Sequence, residues 1–310
     1  MLAFILFLVA LASALASLLA WMPAPVWPGW WKLAIAVGEF GHLFVLLPLG
    51  VAGLAALALD GWPRGVTLVL CGVAVVGLLR PAWTAGRMSA RLPQDLAESL
   101  GTEAAVRAEA VFTWTRLFLA PTPPRVAVRT ETFARHVDGE LRLDFYAAAG
   151  MAPAPCLVVV HGGGWDGGDR AQLAEWNHRW AARGYAVAAI SYRLAPRHRW
   201  PAQREDTLAA LAWLKANAAR LGIDAGRFVM VGRSAGGQIA AAVAYGAQDP
   251  AIVGVVSFYA PHDMPFAWSV SREDDALNSV QLMRQYLGGP PDTPEREALY
   301  RPRREGDHRD

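Results

Sequence analysis

The sequence predicts an α/β fold with a mainly parallel sheet, preceded by an all-helical membrane segment. Three observations carry that prediction. The first 80 residues are almost continuously apolar. From about residue 125, short apolar runs alternate with segments of helical periodicity. Two of those runs lead straight into glycine-rich turns, His161-Gly162-Gly163-Gly164-Trp165 and Gly232-Arg233-Ser234-Ala235-Gly236-Gly237. Strands alternating with helices imply a parallel sheet covered on both faces.

The membrane segment spans residues 1–80. Hydrophobic residues make up 54% of the 310 and charged residues 18%, which is more apolar than an ordinary soluble chain, and the excess lies here. Met1 to Ala20 has no charge, Pro or Gly and is long enough to span a bilayer as a helix. It lacks a basic start, which argues against a cleaved signal peptide, although Ala12-Ser13-Ala14 and Ala14-Leu15-Ala16 resemble cleavage sites. A second run, Leu33 to Leu59, is interrupted by Glu39, His42, glycines and Pro48. A third, Val66 to Leu79, is flanked by Trp62 and Trp83 as interface anchors. Three spans are expected, with two as the alternative. Lys32, Arg80, Arg87 and Arg91 then share a side with the catalytic part, against Arg64 and Asp60 opposite. The positive-inside rule places the catalytic part in the cytoplasm. Glu39 and His42, three apart on one helix face, are read as satisfying each other or lying near the interface.

Residues 81–124 read as a linker with an amphipathic helix, in which Leu96, Leu100, Val111 and Trp114 are interleaved with charges, ending at Pro121-Thr122-Pro123-Pro124. The domain at 125–300 follows. Val126 to Phe133 and Leu141 to Tyr146 alternate in polarity and read as antiparallel strands joined near Asp138-Gly139. Cys156 to Val160, Tyr185 to Ile190, Arg227 to Val231 and Ile252 to Phe258 read as further, buried strands. Leu173, Trp176 and Trp180 fall at helical spacing, and Leu208 to Leu221 marks a helix closed by Gly222. The tail at 301–310 is polar and reads as disordered.

The two glycine-rich turns carry the chemistry. A G-x-S-x-G turn between strand and helix exposes a serine oxygen, and a Cβ at Gly232 or Gly236 would crowd the bend. Ser234 is thus the candidate nucleophile, in need of a base beside it. Consecutive glycines turn backbone N–H groups toward a ligand. Gly163, Gly164 and Ala235 are the candidate oxyanion hole, a device worth a few kcal/mol per donor. His161 precedes the serine and reads as structural, shaping the loop with Gly162 and Trp165.

These motifs, with Ser191-Tyr192-Arg193-Leu194-Ala195-Pro196 and Asp206, resemble the hormone-sensitive-lipase-like and acetyl-xylan/feruloyl-esterase-like branches of the α/β-hydrolases over roughly Leu141 to Gly289. The resemblance implies a carboxylesterase or lipase without a cofactor, acting on a small acyl ester. Peptide hydrolysis shares the same machinery. The family often has Asp where this chain has Arg233. It implies a supporting role for Asp206, which as a helix residue reads equally well as solvated. The family also implies an Asp, commonly in HGxxD, and a later His. Neither pattern follows Ser234. His262 comes too early, and Asp307 and His308 lie in the tail. The expectation is a sheet incomplete at its C-terminus, in a shortened or frame-altered chain, with a catalytically silent scaffold as the alternative function.

The remaining composition excludes more than it suggests. Basic and acidic residues number 29 and 27, leaving no electrostatic case for nucleic acid. Cys71 and Cys156 sit in apolar runs as small hydrophobes, and no spacing resembles a metal site. Oligomeric state leaves no mark in the sequence.

Overall fold

A computed structural model describes residues 1–23, 27–101, 112–119, 122–150 and 152–300. The chain divides into two compact units, Met1–Pro121 and Thr122–Asp310.

The first unit is helical. It contains α1 (Leu2–Ser17) with a 3-10 turn at Leu18–Ala20, α2 (Pro28–Phe44), α3 (Leu46–Ala58), α4 (Gly61–Leu100) and the short α5 (Trp114–Phe118). Leu2–Ala20 and Gly61–Leu100 are long and apolar enough to cross a membrane, and α2 with α3 forms a third such stretch if the pair, bent by 51°, counts as one. The bend has a local cause. Pro48 has no N–H, and a proline ring crowds the carbonyl four residues back. That carbonyl belongs to Phe44, the last residue of α2.

Small residues let these helices meet. A Cβ on Gly41 would strike the Leu78 carbonyl, and one on Gly77 would strike Ser17. Close backbone approach of this kind is how helices associate where lipid removes the hydrophobic drive. Leu6, Ala10, Val51, Ala55 and Cys71 pack inside, while Leu8, Leu47, Leu57 and Val69 face outward. Helices apolar on both inner and outer faces suit a hydrocarbon surrounding.

Two expectations differ from the structure here. The chain does not leave the helix at Pro81: α4 runs through Pro81 and Pro93 to Leu100. Each proline removes one backbone bond, a loss that helices supported by neighbours tolerate. Leu96 and Leu100 therefore lie on this same helix, Trp114 opens α5, and Val111 and Pro121 lie outside the described residues. No ion pair joins Glu39 and His42 among the described residues, so of the two readings mutual satisfaction does not hold; His42 packs edge-on against Phe118, with ring centroids 5.6 Å apart.

Among the described residues the second unit has six strands. In chain order it comprises β1 (Val128–His136), β2 (Gly139–Tyr146), β3 (Ala154–Val160), α6 (Ala174–Ala181), β4 (Ala186–Ile190), α7 (Ala202–Ala216), α8 (Ala218–Leu221), β5 (Ile223–Arg233), α9 (Ala235–Gly246), β6 (Ile252–Phe258), α10 (Met264–Val270), α11 (Ser279–Leu287) and α12 (Pro294–Tyr300). The sheet order is β1-β2-β4-β3-β5-β6. The β1–β2 and β2–β4 pairs are antiparallel, and every pair from β4 to β6 is parallel. This is the mainly parallel α/β sheet the alternating pattern predicts.

The continuous apolar run of β3 has a physical explanation. Cys156, Val158 and Val160 enter one core with Phe145, Leu214, Phe228 and Ile239, while Leu157 and Val159 enter a second with Tyr146, Val187 and Val231. A strand covered on both faces has no polar side to show. Burial pushes the Cys156 thiol up to about 12, so it serves as a small hydrophobe.

The helix contacts yield a controlled test. Gly38 has no atom within 4 Å of its would-be Cβ, unlike Gly41. Gly38→Ala should leave the thermal midpoint of the detergent-solubilised protein unchanged or raised, since alanine favours helix by about 1 kcal/mol. Gly41→Ala should lower stability by about 1–3 kcal/mol through overpacking. Equal midpoints for the two variants would contradict this helix contact.

Candidate active site

Two adjacent parallel strands bring the motifs together. Val160 at the end of β3 pairs with Gly232 near the end of β5. The HGGGW loop leaves one strand and Ser234 follows the other, so both emerge at the carboxyl edge of the sheet, where ligands bind in α/β folds.

Ser234 sits at the junction of β5 and α9 with φ 51° and ψ −125°. Such a conformation costs about 1–3 kcal/mol and persists only when its surroundings impose it. Here they do. A Cβ on Gly232 would strike the Gly236 carbonyl, and one on Gly236 would strike the carbonyls of Val160 and His161. A Cβ on Gly162 would come within 2.9 Å of the Arg233 carbonyl. The Ser234 N–H donates to the Phe258 carbonyl at 2.9 Å, and its own carbonyl accepts from Gly237 N–H at 2.9 Å. The bend is thus gripped from both sides.

The glycine loop presents donors beside it. Gly163 and Gly164 have φ of 135° and 61°. Gly162 N–H is committed to Gln172 Oε1 at 3.0 Å. The N–H groups of Gly163 and Gly164 donate to no acceptor among the described residues. Ala235 is the first residue of α9, so its N–H has no intrahelical acceptor. A cavity of about 290 Å³ opens here, lined by Gly162, Gly163, Gln172, Arg233, Ser234 and Tyr259. Leu173, expected within a helix, lines it too, because it stands before α6 with φ 57°. A larger apolar cavity of about 450 Å³ lies in the helical unit.

The supporting residues act on the loop. His161 is buried, stacks on Tyr192 at 4.2 Å and donates from Nδ1 to the Gly162 carbonyl at 2.9 Å. Tyr192 in turn donates to the His161 carbonyl at 3.0 Å. Burial holds the His161 imidazole below its usual pKa. Trp165, at φ 65°, stacks on Tyr286 with centroids 4.4 Å apart, and its carbonyl accepts from Ala195 N–H. Gln238 Oε1 accepts from both Trp165 Nε1 at 3.2 Å and Tyr286 OH at 2.9 Å. The motifs give neither Gln238 nor Tyr286 a role in the site. The available signal was Gln238 standing one turn past the serine.

Asp206 is not solvated. It is 1% exposed and accepts from Arg193 N–H at 2.8 Å and Arg193 Nε at 2.9 Å, with His136 Nε2 3.5 Å away. It fixes the Ser191–Pro196 segment to α7. Asp206 and the neighbouring Glu205 raise the Arg193 pKa further.

The Ser234 hydroxyl makes no hydrogen bond among the described residues, so no base is paired with it there. His262 is exposed beyond β6, while Asp263 caps α10 through Phe266 N–H. Asp307 and His308, like the rest of 301–310, lie outside the described residues. Among the described residues no group of three His, Cys, Asp or Glu is arranged to hold a metal.

A strand-to-helix serine at positive φ, beside a glycine loop on a mainly parallel sheet, defines the α/β-hydrolase class. The chain belongs to the BD-FAE family, whose model matches residues 143–301, just over half of it. Among curated relatives, the probable carboxylic ester hydrolase LipM of Mycobacterium tuberculosis is 26% identical over 88% of this chain and 69% of its own length. Carboxylesterase NlhH of that organism is 37% identical over 43% of this chain and 44% of its own length. Esterase LipC is 42% identical over 32% of this chain and 25% of its own length. The chain thus spans less than half the length of NlhH and LipC. A solved Pyrobaculum calidifontis esterase shares the fold, with a TM-score of 0.50 and 24% identity over 71% of this chain and 69% of that one.

Two measurements test the support. Gln238→Leu leaves a buried indole N–H and a phenol without their acceptor, and should lower unfolding stability by about 1–3 kcal/mol. An unchanged denaturant midpoint would show the bonds to be dispensable. Folded His161 takes up a proton less readily than an unfolded imidazole, which binds one below about pH 6.5. Its contribution is therefore present above that pH and declines as pH falls through it toward the lower folded pKa. His161→Asn should flatten stability between about pH 7 and 5 relative to the native chain.

Proposed function

We propose that this chain is a membrane-anchored serine hydrolase of carboxylic esters. The observation that carries the reading is Ser234 held at φ 51° beside two glycines whose N–H groups are uncommitted. Ser234 Oγ attacks the acyl carbon, and the carbonyl pair moves onto oxygen, where Gly163, Gly164 and Ala235 N–H groups donate to it. The C–O bond breaks, the alcohol departs with the proton lost from Ser234 Oγ, and an acyl-serine remains. Water then adds to that acyl carbon and releases the acid. Gly232 and Gly236 keep the bend open, His161, Gly162 and Trp165 hold the donor loop, and Asp206 fixes the segment beside it.

The helices of the first unit serve as the membrane anchor, supported by their length and outward apolar side chains. Lys32, Arg80, Arg87 and Arg91 favour a cytoplasmic catalytic part. The substrate class follows from relatives named as esterases and carboxylesterases.

A second reading, a catalytically silent scaffold that binds acyl compounds, is favoured by one observation: Ser234 has no paired base among the described residues. Without its base a serine hydrolase loses several orders of magnitude in rate, about 10³–10⁴-fold catalysis over water remaining. A fluorophosphonate probe with p-nitrophenyl acetate turnover separates the readings. The hydrolase reading expects labelling of the native chain, none of Ser234→Ala, and turnover lost in parallel. A folded native chain that neither labels nor turns over would leave the scaffold reading standing.

A further inference from the structure

Arg233 holds a charge that nothing among the described residues neutralises. The residue is 6% exposed. Both terminal guanidinium nitrogens are buried and have no hydrogen-bond partner among the described residues. The guanidinium carbon lies 4.7 Å from the Trp176 ring and 5.9 Å from that of Phe258. Each such aromatic face offsets only part of the cost of burying the charge. An uncompensated buried charge is strongly unfavourable. Guanidinium cannot escape by losing its proton. Burial accordingly pulls its pKa down, with Tyr259 nearby opposing the shift.

The adjoining cavity suits an anion. Arg233 and Ser234 both line it, with the glycine loop, Gln172 and Tyr259, and no acidic side chain does. The planar guanidinium fork matches the two oxygens of a carboxylate. Tyr259, 78% exposed, lines the same cavity as Arg233. At about 290 Å³ the space fits a short acyl group.

We propose that this cavity binds a carboxylate through Arg233, and that the ester cleaved at Ser234 is a half-ester of a short dicarboxylic acid. The binding site stands on its own geometry, while the substrate assignment rests on Ser234 being the nucleophile. Any aliphatic chain between the two groups must be short, because the cavity holds only about 290 Å³.

The test uses the full chain in lipid nanodiscs, with Ser234→Ala to prevent turnover. Isothermal titration should show monomethyl succinate binding at least about tenfold more tightly than neutral dimethyl succinate, a difference of about 1.4 kcal/mol. Adding Arg233→Met should abolish the preference, and Arg233→Lys should retain part of it. Circular dichroism identifies any variant that fails to fold, and Arg233→Lys decides if Arg233→Met does. Equal binding of charged and neutral esters, or a preference that survives Arg233→Met, would overturn the proposal. Binding of inorganic phosphate without binding of monomethyl succinate would make this a free-anion site and overturn the substrate assignment. Fluorophosphonate labelling of the native chain reads the hydrolase assignment separately. A carboxylate preference without labelling would sink that assignment and spare the binding site, and labelling without the preference would do the reverse.

Discussion

The site depends on backbone approaching backbone where no side chain intervenes. Gly162 against Arg233, Gly232 against Gly236 and Gly236 against the carbonyls of Val160 and His161 form one continuous contact between two turns. Any Cβ there would push the glycine loop away from the serine. The unusual dihedrals of Ser234 follow, because the residue is clamped between a strand it must leave and a helix it must begin. The register of β3 on β5 sets the height at which the turns meet. A shift of one residue would reverse which core each side chain enters and separate the turns as well.

Around that contact, polar side chains bind loop to scaffold. Gln238 gathers Trp165 and Tyr286 on one amide oxygen, so the donor loop, the nucleophile helix and α11 share one fixed point. Asp206 does the same for the segment after β4 by receiving both the backbone and the side chain of Arg193. Buried polar groups satisfied in this way specify one arrangement, since each would be left without a partner in any other.

The chemistry-bearing elements were the most legible in the sequence. HGGGW and GRSAGG each follow an apolar strand, and local glycine requirements place them without knowledge of the rest. The strand pairs were legible for a related reason: alternation in β1 and β2 marks a one-sided hairpin, and continuous apolar runs mark strands buried twice. What was not legible depends on distant partners. Asp206 reads as an ordinary helix carboxylate until Arg193 is seen to fold onto it. Gln238 and Tyr286 are 48 residues apart and meet only through packing. Pro81 looked like a stop because local rules count the lost hydrogen bond, not the neighbouring helices that compensate. Glu39 and His42 share a face by spacing, yet His42 found a ring from elsewhere in the chain.

The continuity of α4 has a dimensional consequence. Forty residues of helix measure about 60 Å, twice the roughly 30 Å of a bilayer's hydrocarbon. The half from Gly61 to Leu79 is nearly free of charge, whereas Arg80, Arg87, Arg91, Asp95 and Glu98 follow on the other. The charged half cannot share the apolar interior with the first. In the proposed membrane anchor a single helix therefore carries the polarity change along its own axis, and Arg80, donating to the Ala20 carbonyl and resting 4.6 Å over the Trp21 ring, stands at that change.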